Sequence, residues 1–174
     1  MMNETLKTLK ERRSCRKYLE KQVDAAALDL ILEAGTYAPT GMNRQAPVIV
    51  AVQDKEIRDK ISKMNAAVMG ADTDPFYGAP TVLVVLADPA VRTYIHDGAL
   101  VMGNLMNAAH AVGVDSCYIF RAKEVFETEE GKAMLRTWGI PDHFVGIGNC
   151  ILGYREEGGV KPVSPRKENY IVRV

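Results

Sequence analysis

Short, uninterrupted apolar runs constrain this chain more than any other feature. Val48-Ile49-Val50-Ala51-Val52 and Thr81-Val82-Leu83-Val84-Val85-Leu86 are rich in β-branched residues and show no in-out alternation. Runs of that kind suit strands buried on both faces, because a strand with one wet face alternates polar and apolar residues. Ser116–Phe120 and Phe144–Leu152 read as two more strands. A sheet that is apolar on both sides must be covered on both sides.

The intervening segments supply the cover, because they carry helical spacing. Glu4–Arg13 sets Leu6 and Leu9 three apart behind a candidate N-cap, Asn3. Ala25–Ala34 places Leu28, Ile31 and Leu32 on one stripe between a capping Asp24 and a stopping Gly35. Lys55–Met69 and Thr128–Trp138 read as helices, the second closed by Gly139 and Pro141. His96–Val112 is apolar nearly all round and crowded with Gly98, Ala99, Gly103, Ala108, Ala109 and Ala111, as expected at the centre of the molecule or at a subunit contact. Pro39, Gly41 and Pro47 break regular structure, and Asp72–Pro80 is turn-rich. The tail from Gly153 ends in Tyr170-Ile171-Val172-Arg173-Val174, which alternates like a strand. It has no evident place in its own core and is expected to extend across a second copy. Helices alternating with buried strands favour a layered αβα arrangement, although periodicity does not reveal strand direction. At 174 residues the chain, 1–174, reads as one domain.

Composition removes several function classes. The 22 basic and 22 acidic residues cancel, so no net field draws the chain to nucleic acid or an acidic membrane. Apolar residues at 47% and charged residues at 25% describe a chain that folds in water. The longest apolar run, Ala79–Ala87, falls well short of the ~20 residues needed to span a bilayer. The opening Met1–Lys7 turns charged where a secretory signal would be apolar, so a cytoplasmic address is expected. Cys15, Cys117 and Cys150 are odd in number and lack a CxxC, which suggests reduced, buried thiols. GxxxxGK[ST], HExxH and GxSxG are all absent, and His96, His110 and His143 have no second ligand at metal spacing. Gly146-Ile147-Gly148 with Ile151 is an incomplete GxGxxG inside a strand-like run, the wrong context for a dinucleotide loop.

Three positive signals remain. Arg12-Arg13-Ser14-Cys15-Arg16-Lys17 gathers like charges that repel unless an anion holds them, and arginine forks match phosphate oxygens. In Ala38–Gln45, Asn43 and Gln45 each offer donor and acceptor, which suits a pyrimidine-like ring edge or a loop that satisfies its own backbone. Arg166-Lys167 in the tail either closes over the same anion or is solvated.

Taken together and in order, these segments resemble the FMN-dependent nitroreductase family from about Thr5 to Val172. The carrying residues are Arg12–Tyr18, Ile31-Leu32-Glu33-Ala34-Gly35, Ala38–Gln45, Gly78-Ala79-Pro80, Asp97-Gly98, Asn104-Leu105, Ala108-Ala109, Gly113, Cys117, Gly139-Ile140-Pro141 and Ile151-Leu152-Gly153-Tyr154. The resemblance implies an α+β fold: a three-layer αβα sandwich with a mostly antiparallel central sheet, built as an intertwined homodimer with an extended C-terminal tail and FMN at the interface. It implies that Arg12, Ser14 and the tail pair Arg166 and Lys167 hold the FMN phosphate. Arg13 and Ile119 match flavin-contacting positions, and Arg16 matches a basic residue beside N1 and O2 of the ring. Pro39, Thr40, Gly41 and Asn43 would reach the flavin from the partner chain, with Gln45 in the same loop.

Activity follows from the same resemblance: NADH or NADPH gives hydride to flavin N5, which passes it to a small organic acceptor such as a nitroaromatic or quinone, in ping-pong fashion and without a protein nucleophile. Two departures bear on the pocket. Ala46-Pro47-Val48 stands where many members have Pro-Trp, and Phe120-Arg121 stands where a glycine is common, which narrows the space over the ring or adds charge to it. Flavin fragmentation, reductive removal of a halide, and anion or nucleotide binding without turnover stay open as alternatives.

Overall fold

The computed structural model describes residues 2–174. In chain order the elements are α1 (Glu4–Glu11), α2 (Ala25–Thr36), β1 (Pro47–Val52), α3 (Lys55–Met69), β2 (Thr81–Ala87), α4 (Tyr94–Ala111), β3 (Asp115–Ile119), α5 (Ala122–Glu127), α6 (Glu129–Thr137) and β4 (Val145–Gly153). The strands form one sheet in the order β1-β2-β4-β3, antiparallel throughout. Strand direction is thus as the family resemblance implies.

β2 explains the layering. All seven of its residues are buried, and they alternate between two cores. Val82, Val84 and Leu86 join Ile61 of α3, Phe126 of α5 and Leu135 of α6 on one face. Leu83 and Val85 join Ile31 of α2 and Val101, Met102 and Leu105 of α4 on the other. Burying each such side chain contributes roughly 1.5–3 kcal/mol, so a polar residue on either face of β2 would be strongly destabilising. The crowded helix α4 does lie against the sheet, and it begins at Tyr94, two residues before His96.

Two local expectations are corrected, and one helix is added. Asp24 makes no side-chain cap for α2; its Oδ2 instead accepts the Tyr154 hydroxyl at 2.7 Å, tying the helix start to the end of β4. Helix α5 was not foreseen, because six residues are too few to show periodicity. The terminal Tyr170–Val174 forms no strand and is exposed, since an alternating segment needs a partner edge and finds none among the described residues.

The glycines of the incomplete GxGxxG have packing roles. A Cβ on Gly146 would lie 2.3 Å from the Ala122 carbonyl oxygen, and one on Gly148 would lie 2.6 Å from the Tyr118 ring. Both let β4 approach neighbouring atoms at the β3–α5 junction, so this run belongs to the sheet rather than to a dinucleotide loop.

Candidate functional site

The basic segment after α1 is held by backbone bonds at both ends. Ser14 bridges Ser116 of β3 in parallel sense, and Cys15 N–H donates to the Ser116 carbonyl at 3.0 Å. Arg16 N–H then donates to Gly159 O at 2.8 Å, and Leu19 N–H donates to Tyr154 O at 2.8 Å. Ser14 and Cys15 therefore meet the outer edge of β3 at Ser116, and residues 15–19 run along the chain leaving β4, which Cys15 meets at Val160 and Tyr18 at Arg155. Buried Cys15 and Tyr18 anchor the segment, with the Tyr18 hydroxyl donating to Cys15 O at 2.9 Å. Burial raises the pKa of both groups, keeping thiol and phenol neutral.

Along this ledge the arginines divide. Arg12 is half-buried, and its Nη1 is shut off from solvent without a hydrogen-bond partner. Its charge is felt by Cys150: burial and neighbouring Cys117 push that thiol up to about 12, against the opposing pull of the Arg12 guanidinium. Ser116 Oγ is likewise buried and unpartnered, beside its bridge partner Ser14. Unsatisfied buried donors cost about 1–3 kcal/mol each, more when charged, so each of these two atoms marks a polar group without its complement. Arg13 folds back: Nη1 donates to Lys10 O at 2.7 Å and Arg12 O at 2.6 Å, covering the last carbonyls of α1. Arg16 is exposed and lines a cleft of about 490 Å³ with Ile119, Phe120, Arg121, Tyr118 and Tyr77.

The far wall of that cleft is braced by two hubs. Asp74 receives Arg58 Nη2 at 2.6 Å, Ser62 Oγ at 2.5 Å and the backbone N–H groups of Phe76 and Gly78 at 2.9 and 2.8 Å. Burial raises its pKa, but these hydrogen bonds outweigh burial and hold the carboxyl below the usual range. Asn65 is fully buried; its Nδ2 donates to Phe120 O at 2.8 Å and its Oδ1 accepts Arg121 Nε at 3.1 Å.

The second predicted group lies elsewhere. Pro39, Asn43 and Gln45 are exposed, Thr40 and Gly41 half-buried, and Thr40 and Gln45 line a different cleft of about 390 Å³ between α2 and β1. Gly41 N–H donates to the buried Asp97 Oδ1 at 3.0 Å, and a Cβ there would meet Thr93 Oγ1 at 2.4 Å, so only glycine fits this anchor. Gln45 Nε2 donates to Asn43 Oδ1 at 3.2 Å, leaving Asn43 Nδ2 as a donor group and Gln45 Oε1 as an acceptor without partners among the described residues. Met42, Asn43 and Gln45 all have left-handed φ, at 52°, 52° and 49°. Such strain, about 1–3 kcal/mol per residue, concentrates where a loop must present groups to a ligand.

The tail pair is not brought to either group. Arg166 and Lys167 are exposed, Lys167 Nζ lying 5.3 Å over the Tyr170 ring, and no hydrogen bond or ion pair among the described residues ties them to Arg12–Arg16. Asn65, Asp74 and Thr93 were missed. Asn65 had a readable mark: it follows Ile57 and Ile61 at four-residue intervals, a polar residue on the core face of α3.

Comparison with known proteins agrees with this geometry. A sequence profile of the nitroreductase family matches residues 9–75, which include the Arg12–Arg16 ledge and the 39–45 loop. A protein of Archaeoglobus fulgidus, provisionally named an NADH dehydrogenase/NAD(P)H nitroreductase, is 30% identical over 162 residues, covering 90% of this chain and 88% of its own. The crystal structure of a nitroreductase with bound FMN from Bacteroides fragilis superposes with a TM-score of 0.91 at 31% identity, over 99% of this chain and 100% of that one. A second, with bound FMN from Desulfitobacterium hafniense, has a TM-score of 0.89 at 27% identity and full coverage of both chains. With the antiparallel three-layer sheet, the basic ledge on its edge and relatives matched along nearly their whole length, this chain belongs to the nitroreductase family.

Proposed function

We propose that the chain is a single-domain, NAD(P)H-dependent FMN oxidoreductase that works as a homodimer. The observation that carries the reading is a pair of buried donors, Arg12 Nη1 and the Ser116 hydroxyl, each without a hydrogen-bond partner among the described residues, with Ser14, two residues from Arg12, bridging Ser116. A phosphate monoester fits it, because guanidinium and hydroxyl donors are what phosphate oxygens accept. Arg12 and Ser14 hold the phosphate, and Arg166 or Lys167 approaches it when the tail is ordered against a second copy. Arg13 steadies the end of α1 above the ring, and Ile119 supplies an apolar floor. Arg16 places positive charge at the ring edge, where it favours the reduced, anionic form.

The loop 39–45 faces its own cleft rather than the Arg16 cleft, so one chain does not complete the site. A second copy does: Pro39, Thr40, Gly41, Asn43 and Gln45 of one protomer reach the ring held by the other, and the exposed apolar Val163, Tyr170, Ile171 and Val172 find cover across the partner. FMN held there would supply the hydride relay, from NADH or NADPH to a small organic acceptor at the same place, which predicts ping-pong kinetics.

The test is spectroscopic. The purified protein should be yellow or become so with added FMN, bleach on anaerobic mixing with NADH or NADPH, and have the mass of a dimer. Arg12→Ala removes charged hydrogen bonds of roughly 1.5–3 kcal/mol and should weaken FMN binding about 10- to 150-fold. A colourless protein that takes up no FMN, or an Arg12→Ala variant with unchanged FMN affinity, would refute the reading.

A further inference from the structure

We infer that the cleft over Arg16 selects a planar acceptor bearing a carboxylate or similar anion, with Arg121 as the residue that recognises the charge. The inference rests on the oxidoreductase reading above and goes on to name the class of acceptor.

The cleft is lined by two cations, Arg16 and Arg121, and three aromatic rings, Tyr77, Tyr118 and Phe120. Its acidic lining residue, Asp74, is already engaged by Arg58, Ser62 and two backbone N–H groups and so offers Arg121 nothing. Among the described residues the arginine ion pairs involve Arg58, Arg136 and Arg155. Among the described residues Arg121 makes one side-chain hydrogen bond, from Nε to Asn65 Oδ1 at 3.1 Å. Its Nη1 and Nη2 are therefore available as a fork, the geometry that grips a carboxylate bidentately.

The fork is held in place. Arg121 adopts φ 74°, a left-handed conformation that disfavours any residue with a Cβ. Fully buried Asn65 holds that conformation from below, gripping the Phe120 carbonyl and Arg121 Nε with the two ends of one amide. A strained backbone locked by a buried side chain fixes where the guanidinium points before any ligand arrives. Phe120, 65% exposed, stands beside it as an apolar face for a flat ring. A ring with a carboxylate on its rim satisfies both residues, whereas an uncharged ring satisfies only Phe120. With Arg16 committed to the flavin edge, Arg121 is the charge left for the second substrate.

The experiment compares two acceptors of nearly equal shape, 4-nitrobenzoate and 4-nitrobenzamide, on the FMN-loaded protein. The native chain should favour the nitrobenzoate in kcat/KM by about tenfold, as one bidentate charged contact implies. Arg121→Gln should abolish that preference by lowering the nitrobenzoate value alone. Arg121→Gly, which suits φ 74° and so guards against misfolding, should do the same. A readout without turnover is calorimetric binding of benzoate and benzamide: either variant should weaken benzoate about tenfold and leave benzamide unchanged. The calorimetry also applies to FMN-free protein, so a chain that never binds FMN refutes the oxidoreductase reading while still testing the anion preference. Equal kcat/KM for the two acceptors in the native chain, or an equal loss on both in the variants, would overturn the inference. A change confined to the NADPH-to-NADH ratio would overturn it too, by assigning Arg121 to the phosphate of the reductant.

Discussion

The anchor beneath the 39–45 loop gives the sharpest stability prediction. Asp97 is 3% exposed and both of its oxygens are used: Oδ1 accepts Gly41 N–H at 3.0 Å and Oδ2 accepts the Thr93 hydroxyl at 2.9 Å. Replacing it with alanine removes two hydrogen bonds to a charged acceptor, each worth about 1.5–3 kcal/mol, and strands the Gly41 N–H. Part of that loss is offset, since the carboxylate no longer has to be desolvated, so the net destabilisation is about 3 kcal/mol. For a chain of this size each kcal/mol moves Tm by about 2–4 °C, and Asp97→Ala should therefore melt roughly 6–12 °C lower. Asp97→Asn keeps a carbonyl oxygen for Gly41, and the Thr93 hydroxyl can turn to accept from the new amide, so its loss should stay near 1 kcal/mol. Thermal unfolding followed by circular dichroism measures the two shifts. Amide exchange at Gly41 shows whether the damage begins at the loop. An alanine variant within 2 °C of the native Tm, as a rough threshold, would refute the anchor, as would an asparagine variant that falls as far as alanine.

Two more perturbations follow from geometry. Gly146→Ala drives a Cβ to 2.3 Å from the Ala122 carbonyl, a backbone atom that cannot swing away, so β4 and the start of α5 must separate; a loss of about 3 kcal/mol or more is expected in urea unfolding, and a near-neutral result would show that the approach is not tight. Asp74 has its folded pKa lowered below its unfolded one, so its contribution is present at neutral pH and lost as acid takes the pH down through the folded value. Asp74→Asn should therefore lower stability at neutral pH and flatten the acid side of the stability curve; an unchanged acid slope would count against the Asp74 hub.

What was legible in the sequence follows the length of each pattern. β1, β2 and β4 are runs of six to nine residues whose apolar character leaves few alternatives, and their positions agree with the sequence reading to within a residue or two. Long helices with a stripe and a cap, such as α3 with Asp54 accepting from Ile57 N–H, were readable for the same reason. Helix α5 was hidden because it is shorter than two turns, and its start depends on Arg121 taking a left-handed φ that no local sequence rule favours. The Asp24 cap was misread because a competing partner, the Tyr154 hydroxyl, comes from 130 residues away.

The candidate site divides along the same line. Arg12, Ser14 and Arg16 were visible as a charge cluster, but what makes Arg12 notable is its burial, which depends on Ser14 bridging Ser116 in β3. Charge in a sequence names a residue; only the fold decides whether that charge is solvated, paired or left waiting. Arg58 and Arg12 illustrate the difference. Arg58 is buried, and each of its three guanidinium nitrogens donates, to Ala79 O, Asp59 and Asp74. Arg12 is also shielded at Nη1, but there that nitrogen has no partner among the described residues. Two arginines of equal charge thus end in opposite states, one closing a structural hub and one with a shielded nitrogen left unpartnered, because one lies beside a carboxylate that the fold delivers and the other does not.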